Sequence, residues 1–237
     1  MEPSELVEDE FGEYCSVTVS AAARENFITI DGSSNPQPIR DAGFTEQDVV
    51  AAQEAAYDYA ITHSLDSPML DTPVTTEEWY EAGGKLVIAD NQRSSYEAAI
   101  DESKSSNLGF IVRDVFAGPL VRDRGTRVSD VELSTTDIGV VEHEGTHYLR
   151  VYTGFSASIR TTDENAIATV QRADPSKTVD QVRAENPDLA DTEPAAALFI
   201  VSSTRFTFDA TEKDKLVGSG MEYSIFTSSG NLVVTVT

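Results

Sequence analysis

Between residues 45 and 64 the apolar positions Val49, Ala52, Ala56, Tyr57, Ala60 and Ile61 recur three or four residues apart, while Glu54, Asp58 and Thr62 form a polar stripe. That spacing predicts an amphipathic helix packed by one side. Thr45 can cap it with Asp48 three residues on, and Phe44 can staple onto Val49. The same start signal recurs at Thr75-Thr76-Glu77-Glu78, where Val74 can staple onto Trp79 and Gly83-Gly84 ends a short helix. Ser94 with Glu97 predicts a third helix, carrying Tyr96, Ala99 and Ile100. Residues 85–89, lying between the last two, read as a strand.

Elsewhere the period is two. Residues 1–13 are acidic, contain Pro3 and Ser4, and read as a mobile arm; strand-like runs follow at 14–20 and 26–31, and a turn-rich stretch at 32–38 closes the first unit. After Ser106, strands are expected at 109–116, 126–133, 138–142, 146–159 and 166–172. Residues 174–194 read as an excursion with one short helix, capped by Thr178 and Gln181 and ended by Pro187. The tail returns to strands at 197–202, 205–209, 220–227 and 232–236, the last after a Ser228-Ser229-Gly230-Asn231 turn. These pieces predict a β-rich α+β fold: an antiparallel β-sandwich or jelly-roll-like body with a helical insertion in its N-terminal half. The organisation expected is an arm at 1–13, a mixed strand and helix region at 14–107 and a mainly β region at 108–237, the last two able to form one continuous domain.

One segment spells a catalytic motif. His143-Glu144-Gly145-Thr146-His147 matches H-E-x-x-H, which on a helix sets two zinc-ligating histidines one turn apart with the glutamate as general base. The flanks, Ile138-Gly139-Val140-Val141-Glu142 and Tyr148-Leu149-Arg150-Val151-Tyr152, are β-branched and aromatic, and a mid-helix Gly145 costs about 1 kcal/mol relative to Ala. A hairpin turning at Glu144-Gly145 uses more of the residues. It sets His143 opposite Thr146, Glu142 opposite His147, Val141 opposite Tyr148, Val140 opposite Leu149 and Ile138 opposite Val151, gathering Ile138, Val140, Leu149 and Val151 on one face. The glycine and third histidine of the extended metzincin pattern do not follow, and the remaining histidine, His63, falls near a helix C-terminus. A zinc hydrolase at His143, Glu144 and His147 is kept as an alternative.

Other signatures fail: the chain has no G-x-S-x-G, no G-x-x-x-x-G-K-[ST], no G-x-G-x-x-G after a strand and no C-x-x-C. No cofactor is expected. Cys15 is the sole cysteine, so an internal disulfide is impossible and the thiol is either buried or shared between subunits. Trp79, Tyr80, Phe206, Phe208, Tyr223 and Phe226 could line a ligand groove, though core or subunit contact suits most of them better.

Charge changes the picture most. With 41 Asp+Glu against 17 Lys+Arg, five of them Lys, the 237 residues carry a net charge of -24, spread along the chain rather than gathered in a tail. Paired carboxylates therefore carry no signal of their own. Phosphate contacts need a basic footprint, so direct nucleic-acid binding is disfavoured, and the sole local candidate is the Arg122, Arg124 and Arg127 cluster, read as a turn or subunit contact. The composition resembles that of proteins from salt-in halophiles such as haloarchaea, where a screening length of about 3 Å or less lets a dense carboxylate surface persist. The longest apolar run, 195–201, is far short of the ~20 residues a membrane helix needs. Met1-Glu2-Pro3-Ser4-Glu5 has neither the basic nor the apolar region of a secretory signal. The expectation is a non-enzymatic, self-associating assembly protein made in a high-salt cytoplasm, such as a virion (capsid) or cell-envelope subunit, with a small-molecule or carbohydrate binding module as the other alternative.

Overall fold

The computed structural model describes residues 2–9, 12–66, 76–101, 128–160, 162–187, 197–209, 211–212, 214–227 and 232–236. The fold is a mixture of helices and antiparallel sheet. A hairpin of β1 (Glu2–Asp9) and β2 (Gly12–Thr18) comes first, so the stretch read as an arm is a paired strand. Helices α1 (Ala21–Glu25), α2 (Pro36–Asp41), α3 (Glu46–Ala60), α4 (Thr76–Trp79), α5 (Lys85–Val87) and α6 (Asp90–Asp101) follow. The main sheet has β3 (Val128–His143), β4 (Thr146–Arg160), β5 (Ala197–Phe208), β6 (Leu216–Thr227) and β7 (Leu232–Val236), with α7 (Asp163–Ala173) and α8 (Val179–Glu185) between β4 and β5.

Each strand of the five-stranded sheet pairs antiparallel with its sequence neighbour, in the order β3-β4-β5-β6-β7. That is a meander, where a jelly roll would need Greek-key crossings between two sheets. Among the described residues the sheet's inner face is covered by helix rather than by a second sheet. Leu149 and Val151 of β4 lie opposite Phe208 and Phe206 of β5, and all four are fully buried. Against them α3 sets Val49, Ala52, Ala56 and Ala60; the small side chains let the helix sit close to the strands. Burying each phenylalanine contributes about 2–3 kcal/mol. One contiguous core takes residues from Ile30 to Leu216 and so joins the helical half to the β half.

Helix α3 begins as its sequence predicts. Asp48 N–H donates to the Thr45 hydroxyl at 3.3 Å and Thr45 N–H to the Asp48 carboxylate at 2.8 Å, a complete capping box. At its other end the chain widens into a π turn, Ile61–Leu65, closed by Asp66 N–H donating to Ile61 O at 2.7 Å. The buried Asp66 carboxylate then accepts Val17 N–H at 3.0 Å and ties β2 to this turn. Helix α8 forms on the expected cap of Thr178 with Gln181.

Three strand expectations are overturned. Residues 26–31 do not join a sheet because α3 satisfies their backbone: the buried Gln53 accepts Ile28 N–H at 2.9 Å and donates to Ile28 O at 3.0 Å, while Glu46 accepts Ile30 N–H at 3.1 Å. Residues 85–87 are helical, and Ile88 contributes a single parallel bridge to Leu216. Residues 166–172 lie in α7, where Thr162 caps Asn165 N–H at 3.2 Å and Ala166, Ile167 and Val170 gather on the buried side. In the opposite sense, the runs expected at 126–133, described from Val128 on, and at 138–142 fall in one strand, β3, bent by irregularities between Ser129 and Glu132 and between Thr135 and Asp137. Runs 197–202 and 205–209 likewise fall together in β5, which ends at Phe208. The expected strand at 109–116 and the turn at 228–231 lie outside the described residues. No helix among the described residues is long and apolar enough to cross a membrane.

Candidate functional site

The H-E-x-x-H segment is the turn of the β3–β4 hairpin. His143 pairs with Thr146, Glu142 with His147, Val141 with Tyr148, Val140 with Leu149 and Ile138 with Val151, the register that the alternation of apolar residues dictates. Glu144 and Gly145 hold the two-residue turn with φ of 50° and 77°. Because Glu142 and His147 oppose each other, His143, one residue on, lies on the other face of the ribbon from His147. The two imidazoles therefore do not converge as they would on a helix. His143, Glu144 and His147 are all exposed, and His147 Nε2 lies 3.8 Å from Glu142 Oε2.

The remaining sequence candidates are scattered. Cys15 sits in β2 opposite Leu6. Arg122, Arg124 and Arg127 lie outside the described residues. Tyr80, Phe206 and Phe208 are buried in the core.

A cleft of about 460 Å³ opens where α3 and its π turn meet the β5–β6 connection. Its floor is apolar, from Ala51, Ala55, Val87, Phe208 and Leu216, and its rim carries Glu54, Asp58, Thr62, His63, Asp214 and Lys215. The polar stripe of α3 thus faces a concavity. The π turn places His63 against Tyr59, ring centroids 4.9 Å apart, and Tyr59 meets Phe206 edge-on at 5.5 Å, which anchors the imidazole to the core. Burial lowers the His63 pKa to about 4, so the ring is neutral near pH 7. Burial also pushes Asp58 above the ordinary carboxylate range; Arg24 opposes the shift and Glu54, one turn earlier, adds to it. Arg24 Nε pairs with Glu54 at 3.1 Å. Lys215 Nζ donates to Leu86 O at 2.6 Å and lies 3.6 Å from Asp214.

A larger, more open depression of about 580 Å³ lies between α1 and the β3–β4 pair, and Glu132 is the one ionisable side chain lining it. Among the described residues no group of three or more His, Cys, Asp or Glu is placed to hold a metal ion.

The outer face of the sheet is a second feature that motif reading misses. Even-numbered residues of β4 point away from the core, and they include Arg150, Tyr152 and Ser156. Tyr152 lies opposite the exposed Arg205 of β5, and its ring packs over Gly139, 3.9 Å from where a Cβ would stand. Arg150 Nε donates to Thr207 Oγ1 at 3.1 Å. Two arginines and a tyrosine thus share one face. The signal was present in the alternation of 148–152, where tyrosine and arginine occupy the positions between the core residues.

No protein-family model, curated protein or solved structure matches this chain.

Proposed function

We propose that the chain is a non-enzymatic assembly subunit adapted to a high-salt medium, of the kind that builds a virion shell or a cell-envelope layer. The observation that carries the reading is the outer sheet face, where Arg150, Tyr152 and Arg205 are held by strand pairing in a chain of net charge -24. Arginine and tyrosine are the residues enriched where proteins associate, and a pleated face presents them rigidly. The helical side offers the complement: Glu77 and Glu78 of α4 and the following Glu81 are exposed there. A face bearing arginine meeting a carboxylate face on the next copy is a heterologous contact, the kind that extends into rings or arrays. Multimolar salt screens both this attraction and the carboxylate repulsion between copies, and in a chain of net charge -24 the repulsion is the larger, so salt favours the assembled state.

The test is reversal of charge on the sheet face. Light scattering in molar KCl is expected to give Arg205→Glu a smaller particle mass than the unaltered chain at the same concentration. An unchanged multimer would remove this face from the account.

A second reading, a small-molecule binding module, is favoured by the α3 cleft, which combines concavity, an apolar floor and a few polar groups at its rim.

A further inference from the structure

Resting on the binding-module reading of the α3 cleft, we infer that its occupant is a small organic cation whose apolar body sits against Ala51, Ala55 and Val87 and whose positive charge faces Asp58. The geometry carries three parts of this. First, size: about 460 Å³ suits a small molecule and exceeds what a bare ion fills. Second, the part of the floor open to solvent is alkyl, from Ala51, Ala55 and Val87, since Tyr59, Phe208 and Leu216 are buried; a hydrated inorganic ion gains nothing there, whereas an alkylammonium gains burial.

Third is the sign of the charge. The lining has three carboxylates against one ammonium, and that ammonium, Lys215 Nζ, is already committed to Leu86 O and lies close to Asp214. An anion would meet no uncommitted cation on the lining. Acidity alone would not single out this place, since the whole chain is acidic; what does is that Asp58, whose neighbour Glu54 is already paired with Arg24, stands over an apolar concavity. His63 closes one side as a neutral ring held on Tyr59, so it does not repel a cation. Burial raises the Asp58 pKa while Arg24, paired with Glu54 at 3.1 Å, lowers it, so a cation settling beside Asp58 would stabilise a carboxylate that is partly desolvated.

Choline and its uncharged isostere 3,3-dimethylbutan-1-ol are the probes, followed by saturation-transfer NMR with the full chain in molar KCl. Choline is expected to bind at least about tenfold more tightly than the isostere, and Asp58→Asn to weaken it about tenfold while leaving the isostere unchanged. Ala55→Leu, which fills the floor, is expected to abolish both. Equal binding of the two probes would keep the cleft as a binding site and overturn the cation assignment. Binding of neither would overturn the assignment and the binding-module reading together. Choline binding indifferent to both substitutions would place the cation on the general acidic surface, which also overturns the inference.

Discussion

Glu142 and His147 face each other across the β3–β4 ribbon, Oε2 to Nε2 at 3.8 Å, at the point where the strands leave the core. Their opposition marks the register that the apolar alternation sets from the turn down to Asp137. A slip of one residue would move Ile138, Leu149 and Val151 out of the core. The turn itself is strained at Glu144, a residue with a Cβ at φ 50°, while Gly145 at φ 77° is the residue that position favours. Gly145→Ala is expected to destabilise the fold by about 1 kcal/mol and Glu144→Asn to stabilise it by about 0.5 kcal/mol. Denaturant melts in fixed salt measure both; the opposite signs would mean that the turn is not of this type.

Gln53 is a buried amide that replaces a neighbouring strand. Its side chain makes two hydrogen bonds with the backbone of Ile28 and donates a third to Val49 O at 3.1 Å. Gln53→Leu would leave the Ile28 backbone groups without these partners and is expected to cost about 2–3 kcal/mol by thermal or denaturant melting. A loss under about 0.5 kcal/mol would show that the 26–31 segment is held by other contacts.

His63 sets a pH dependence of definite sign. Its folded pKa of about 4 lies below the ordinary 6.5, so between those values the unfolded chain binds the proton more readily. The contribution is fully present above pH 6.5, is lost progressively as pH falls toward 4 and levels off below that, with a span of about 3 kcal/mol. Carboxylate protonation changes stability over the same range in every variant, so the readout is the difference between the unaltered chain and His63→Gln. That difference should narrow as pH falls from 6.5 to 4. A pH-independent difference would contradict the burial of the ring.

The legible parts of this fold are those where local pattern and tertiary demand coincide. Alternation over 138–152 specified the hairpin to the residue, and Thr45 with Asp48 specified the start of α3. Residues 166–172 misled because Ile167, Thr169 and Val170 are β-branched, yet the Thr162 cap and the burial of Ala166, Ile167 and Val170 favour helix. The cleft was only half legible. The stripe of Glu54, Asp58 and Thr62 is visible in the sequence, but the opposite wall comes from Phe208, Lys215 and Leu216, some 150 residues later. The π turn that swings His63 onto Tyr59 has no local spelling.

Salt is expected to raise stability steeply. Exposed carboxylates such as Glu77, Glu78, Glu81 and Asp90 stand close along the helices, and described ion pairs such as Lys85–Glu81 and Arg93–Asp90 join solvent-facing side chains. Such pairs contribute little, whereas screening acts on the repulsion of the whole surface. Between dilute buffer and molar KCl a gain of about 3 kcal/mol would raise Tm by about 10 °C. A Tm flat across that range would discard adaptation to salt.

Particle mass of the unaltered full chain, measured by light scattering from dilute buffer to multimolar KCl, bears most directly on the assembly reading. A discrete multimer that forms as salt rises and dissociates on dilution into low salt is the predicted result. A monomer at every salt and protein concentration would contradict it.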